Sequence, residues 1–77
     1  MKQKQKDKLN DLINKLEEIK AEVGNAQSEE QEKFDNLSEG LQQTERGQAI
    51  EQAANDLDEV VNSLQEACDK LGEVVSS

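Results

Sequence analysis

The chain has 77 residues, 32% of them hydrophobic and 35% charged, with one Phe, one Cys and no Pro, Trp, Tyr or His. Nucleophile and acid/base systems lean on His and metal centres on His or several Cys, so no catalytic residue, no metal and no cofactor is expected. Eighteen Asp and Glu against nine Lys and Arg leave a formal charge of −9, which disfavours direct contact with nucleic acid or an anionic membrane and favours a basic protein partner.

The first residues are basic, with Lys2, Lys4, Lys6 and Lys8 against Asp7. No apolar run follows them as a secretory signal would require, no apolar stretch is long enough to span a bilayer, and the lone Cys68 cannot form an internal disulfide. The expected location is the cytoplasm. Without interleaved aromatics the basic segment is read as a frayed helix start, or as an arm pairing with acidic groups of a second copy, rather than as a nucleic-acid site.

Leu9, Leu12, Leu16, Ile19, Val23 and Ala26 follow at alternating spacings of three and four, the a/d pattern of a coiled coil with Leu9 at position a. A helix from about residue 4 to 35 is predicted. Gly24-Asn25 is a possible break, with Ser28 and Gln31 forming a capping box for a restart, but Gly inside a helix costs only about 1 kcal/mol relative to Ala, so the helix is expected to continue. At position e this helix has Ile13 and then Lys20 and Gln27, which narrows its apolar face.

The segment from about 36 to 44 breaks the heptad and holds Asx and Ser turn formers and Gly40, so it is the predicted connector. Phe34, Leu37 and Leu41 are spaced to fold over the end of the helices as a cap. Thr44 is the predicted N-cap of the next helix, with Glu45 in its first turn.

Across this connector, Lys33-Phe34-Asp35-Asn36-Leu37-Ser38-Glu39-Gly40-Leu41-Gln42 followed by Glu45-Arg46-Gly47 resembles a segment of small proteins encoded by phages and prophages of Gram-positive bacteria. In those the segment reads K-F-D-N-x-P-E-G-L-Q followed by S-E-R-G; here Ser38 stands for Pro and Thr44 for Ser. The similarity covers the middle and C-terminal half and leaves out the basic N-terminal segment. Such a resemblance implies a phage setting, hence the host cytoplasm, without implying a specific activity. It raises the expectation of interference with a host protein, because small acidic phage proteins are often inhibitors of host defence or of host nucleic-acid enzymes.

From about 45 to 75, Ile50, Ala53, Leu57, Val60, Leu64, Ala67, Leu71 and Val74 carry the 3-4 spacing through four heptads. Ala54, Val61, Cys68 and Val75 add an apolar e row, wider than one partner helix covers. Small layers alternate with larger ones along it. The expected architecture is an all-α antiparallel helical hairpin that dimerises into a four-helix bundle through Ala54, Leu57, Val61, Leu64, Cys68 and Val75. The alternative is that this stripe docks a different protein.

Glu51, Asp58, Glu59, Glu66 and Glu73 occupy positions b and c of the second helix and are predicted to form an acidic stripe on its solvent side. Glu29, Glu30 and Asp35, with Glu32, are expected to extend it round the connector end. Asp56-Leu57-Asp58-Glu59 opens like a calcium loop, but Leu57 is a core position and the required Gly and distal Glu are missing. Cys68 reads as a small buried hydrophobe rather than a reactive thiol. These features predict a non-enzymatic binding module. Its leading expected role is an inhibitor of a host defence or nucleic-acid-handling protein, of anti-CRISPR type, whose acidic stripe blocks a basic DNA channel such as that of a CRISPR effector nuclease. The alternative is a structural or adaptor coiled coil that binds itself or another phage protein.

Overall fold

The computed structural model describes residues 1–77 as three helices, α1 (Gln3–Asp35), α2 (Glu39–Gln42) and α3 (Glu45–Ser76), with no strand. α1 and α3 pack antiparallel along most of their length, making a rod of 58 × 15 × 13 Å. α1 begins without a side-chain cap or an acidic first turn, and its basic first turn opposes the helix dipole there. It passes through Gly24-Asn25 unbroken.

The connector is closed by side chains that satisfy the helix ends. Ser38 caps α2 by accepting from the Leu41 N–H at 3.4 Å. The Gln42 side-chain amide donates to the carbonyls of Phe34 at 3.1 Å and Leu37 at 3.2 Å, covering acceptors that the end of α1 leaves open. Thr44 caps α3, accepting from the Gly47 N–H at 3.2 Å while its hydroxyl donates to the Leu41 carbonyl at 2.6 Å. Phe34 and Leu37 are half-buried, but Leu41 is 53% exposed, so the expected three-residue cap lacks Leu41. The Ser38-capped turn of α2 carries that side chain outward.

The seam between α1 and α3 runs along rows a and e. On α3 the e row Gly47, Ala54, Val61, Cys68, Val75 alternates with the a row Ile50, Leu57, Leu64, Leu71, and all are buried or half-buried. On α1 the matching residues are Leu9, Ile13, Leu16, Lys20, Val23, Gln27, Glu30 and Phe34, all half-buried. The d rows turn away: Leu12 is 40% exposed, Ile19 46%, Val60 43% and Val74 41%. Small e-row side chains bring the backbones close, and Ala54 and Cys68 are the only hydrophobic residues of the chain that are buried, at 1% and 5% exposure.

This placement corrects one expectation. Ala54, Leu57, Val61, Leu64, Cys68 and Val75 were assigned to a second copy, yet α1 of the same chain already covers them. On α3 rows a, d and e are all apolar, so either of two overlapping frames could face α1; at the connector end the e rows offer Gly47 and Phe34 where the d rows offer Arg46 and Lys33, which favours the e frame. Val61→Glu therefore strikes the hairpin's own seam, placing an unpaired charge there; it should abolish most of the helical signal in far-UV circular dichroism.

The glycines supply a sharper test. A Cβ at Gly47 would meet the Gln42 carbonyl oxygen at 2.6 Å and the Leu41 carbonyl closer still, whereas Gly24 and Gly72 have nothing within 4 Å of theirs. Gly47→Ala should cost about 1–3 kcal/mol by overpacking the connector, and Gly24→Ala or Gly72→Ala should stabilise by about 1 kcal/mol through helix propensity. Thermal or urea melts of the three variants check the opposite signs.

Candidate functional site

Antiparallel helices that meet through the same two rows are related by a local two-fold axis across the seam, so rows of the same letter lie on the same side of the rod. The contacts agree. Lys20 donates to the Gln65 side-chain oxygen and pairs with Glu17 at 3.2 Å; Glu17 and Gln65 are both row b. One side of the rod is thus the b side, bearing Glu17, Gln31, Glu51, Asp58 and Gln65. The opposite, d side is apolar.

The expected acidic residues separate across this frame. Glu51 and Asp58 lie on the b side, and Glu59, Glu66 and Glu73 form row c, about 100° further round the helix and facing away from α1; all five are exposed. Asp35 is exposed at the connector end and accepts from Gln31 at 3.0 Å. Glu30 is half-buried in the seam and paired with Lys33 at 3.0 Å. Glu29 stands in row g, on the d side of the rod, away from Glu51 and Asp58. The structure therefore spreads the five carboxylates of α3 over two exposed rows, one on the b flank and one facing away from α1, and leaves Glu29 and Glu30 out of both. The chain's two salt bridges, Lys20–Glu17 and Lys33–Glu30, both lie within α1. No carboxylate of α3 has an ion-pair partner, so its surface stays strongly negative.

A polar network inside the seam had no counterpart in the expected site. Gln65, which accepts from Lys20, donates to Asp69 at 2.9 Å, linking Glu17, Lys20, Gln65 and Asp69 across both helices. The one signal for it in the sequence is Lys20 interrupting the e row after Ile13. A polar residue at a seam position costs stability but fixes register and alignment, and the Lys20–Gln65 bond sets the height of one helix against the other.

At the connector, an open groove of ≈ 520 Å³ has Leu37, Leu41 and Ile50 on its walls and Lys33 and Arg46 at its edge. It holds no acid and base within reach of each other. No group of three or more Cys, Asp or Glu side chains is placed to hold a metal ion, and no helix is long and apolar enough to cross a membrane. What this arrangement offers chemically is two surfaces, one acidic and one apolar, on a stiff rod. No protein-family model matches the chain, and comparison with curated proteins and with solved structures finds no match.

Burial pushes the Cys68 thiol above its ordinary value of 9.0; the Glu17 carboxylate adds to the effect by charge and by hydrogen bonding, and Asp69 adds further, while Lys20 opposes it. A raised thiol pKa means that the folded state keeps its proton where the unfolded state loses it. The contribution to stability is complete below pH 9.0 and is lost as pH rises past that value towards the raised one. The melting temperature should fall on going above that pH in the wild type and fall less in Cys68→Ala. Thiol alkylation of the folded protein should be slow at neutral pH and become fast in denaturant.

Proposed function

We propose that the protein is a non-enzymatic, phage-encoded binding module that inhibits a host defence or nucleic-acid-handling protein by laying its acidic surface on that protein's basic channel, in the manner of an anti-CRISPR protein. The observation that carries this reading is the α3 surface: Glu51, Asp58, Glu59, Glu66 and Glu73 are exposed in two rows and without ion-pair partners. Within each row the carboxylates recur every seven residues, about 10.5 Å at 1.5 Å per residue. Duplex DNA carries a charge every ~1.7 Å. The rod is thus too sparse to copy a duplex charge for charge, and its mode is that of a negatively charged plug, whose width excludes nucleic acid and whose charge steers it into place. The partner is a basic host protein, such as a CRISPR effector nuclease, met in the host cytoplasm.

A second reading, a structural or adaptor coiled coil, is favoured by the exposed Leu12, Ile19, Val60 and Val74. The two readings use opposite sides of the rod and are compatible. In both, the hairpins pair into a four-helix bundle.

The test is capture with the tagged protein from nuclease-treated host lysate, followed by DNA-binding assays on whatever is retained. The expected outcome is one nucleic-acid-binding protein, released by salt, whose DNA binding is lost in the presence of the hairpin. Glu59→Lys with Glu66→Lys should leave the helical signal intact and weaken capture roughly tenfold or more through lost electrostatic complementarity. Undiminished capture by that double variant would remove the acidic surface as the contact.

A further inference from the structure

Taking as premise the pairing of hairpins proposed above, we infer that the second copy docks on the d side of the rod, with the two rods antiparallel about a two-fold axis crossing them near Glu22 and Ser63. The surface comes first. The height set by Lys20–Gln65 brings Leu12 level with Val74, Ile19 with Ala67 and Ala26 with Val60. Because both d rows lie on the same side, these residues with Ala53 make one continuous apolar face. On it Leu12, Ile19, Val60 and Val74 are each at least 40% exposed, and a contiguous face of that kind marks an interaction surface rather than ordinary scattered exposure.

Charge selects the occupant and its direction. The g rows border this face, with Lys15 and Lys70 towards the open end of the hairpin and Glu29 and Asp56 towards the connector end. The face is therefore basic at one end and acidic at the other, complementary to itself when turned end for end. An axis near Glu22 and Ser63 sets Lys15 against the partner's Glu29 and Lys70 against the partner's Asp56, in both directions at once, as an isologous interface requires. Lys33, which falls by the partner's Leu12, is already paired with Glu30 and can lay its aliphatic stem on that leucine.

Size agrees with charge. The same axis sets Ile19 beside the partner's Ala26, Val60 beside the partner's Ala67 and Val74 beside the partner's Ala53, large against small in each layer. The other closed pairing, with the two-fold along the rod, sets Lys15 on the partner's Lys70, Glu29 on the partner's Asp56 and Leu12 on the partner's Val74. Like charges then oppose each other at two places on each side, where the antiparallel pairing opposes only Glu22 and the partner's Glu22 on the axis. Of the large side chains Leu12 meets the partner's Val74, while Ile19 meets the partner's Ala67 and Val60 the partner's Ala26, so charge rather than size selects the direction. The antiparallel pairing leaves rows b and c on the outside, so the bundle carries the acidic surface of α3 twice.

Three exposed positions outside the seam test this. In a Cys68→Ala background, Glu22→Cys, Ser63→Cys and Glu66→Cys are each treated with a short bismaleimide, alone and in mixtures, and the parent mass is measured by sedimentation equilibrium. Expected are a parent mass of two chains, cross-linked dimer from Glu22→Cys alone and from Ser63→Cys alone, and none from the outward Glu66→Cys. A single-chain mass at all concentrations would overturn the pairing premise itself. A two-chain mass with cross-links only when Glu22→Cys and Ser63→Cys are mixed would keep the premise and overturn the direction. Cross-linking of Glu66→Cys to itself, or of no variant at all, would overturn the face.

Discussion

Close approach of two backbones along the e row of α3 holds this molecule together. Gly47, Ala54 and Cys68 are the three buried residues of the chain; Gly47 lets the Leu41 and Gln42 carbonyls approach closely at the connector, and Ala54 and Cys68 are small enough to let α1 lie close to the α3 backbone. The larger Leu57, Leu64 and Leu71 of the a row then reach past it to be half-covered. A rod 15 × 13 Å across has no room for more, because two helices share a seam but enclose no interior. In such a chain most of the large apolar side chains remain partly wet, and the hydrophobic contribution falls well below that of a domain with a filled core.

The seam also contains the groups that make it specific. Lys20 is half-buried between Glu17 and Gln65, and a leucine there would bury more apolar surface. What Lys20 contributes is alignment: its ammonium bonds the Gln65 amide oxygen at one height of α3 against α1. How the flanking residues of the two helices stand level with one another follows from that height, while the rotation of each helix decides which of them share the b side and which the d side. The hairpin's two-faced character is thus decided inside the seam.

The helices, the connector and the Thr44 cap were legible in the sequence because each rests on local chemistry: 3-4 spacing, a run of turn formers, a hydroxyl three residues before a free N–H. The rotation of each helix about its own axis was not. On α3, Ala53, Ala54, Val60, Val61, Ala67 and Cys68 make rows d and e equally apolar, so the pattern admits two seams. On α1 the polar Lys20 and Gln27 argue for rows a and d, and only the partners supplied across the seam reverse that weighting. The acidic residues of α3 could be located from their spacing alone. That Glu29 and Glu30 stand apart from them depends on how α1 is turned, which is a tertiary quantity.

The clasp at the connector bears on how the hairpin comes together and apart. Gln42, Thr44 and the bare Cα of Gly47 knit the chain reversal tightly, so Phe34 meets the first turns of α3 at little cost in loop closure. Each further layer, out to Leu9 and Val75, closes onto one already formed. Assembly of this kind resembles a zipper pulled from the reversal towards the termini, and opening runs the other way. The uncapped first turn of α1, with its cluster of lysines, lies at the end where the teeth part first. A protease or chaperone would find its first purchase there.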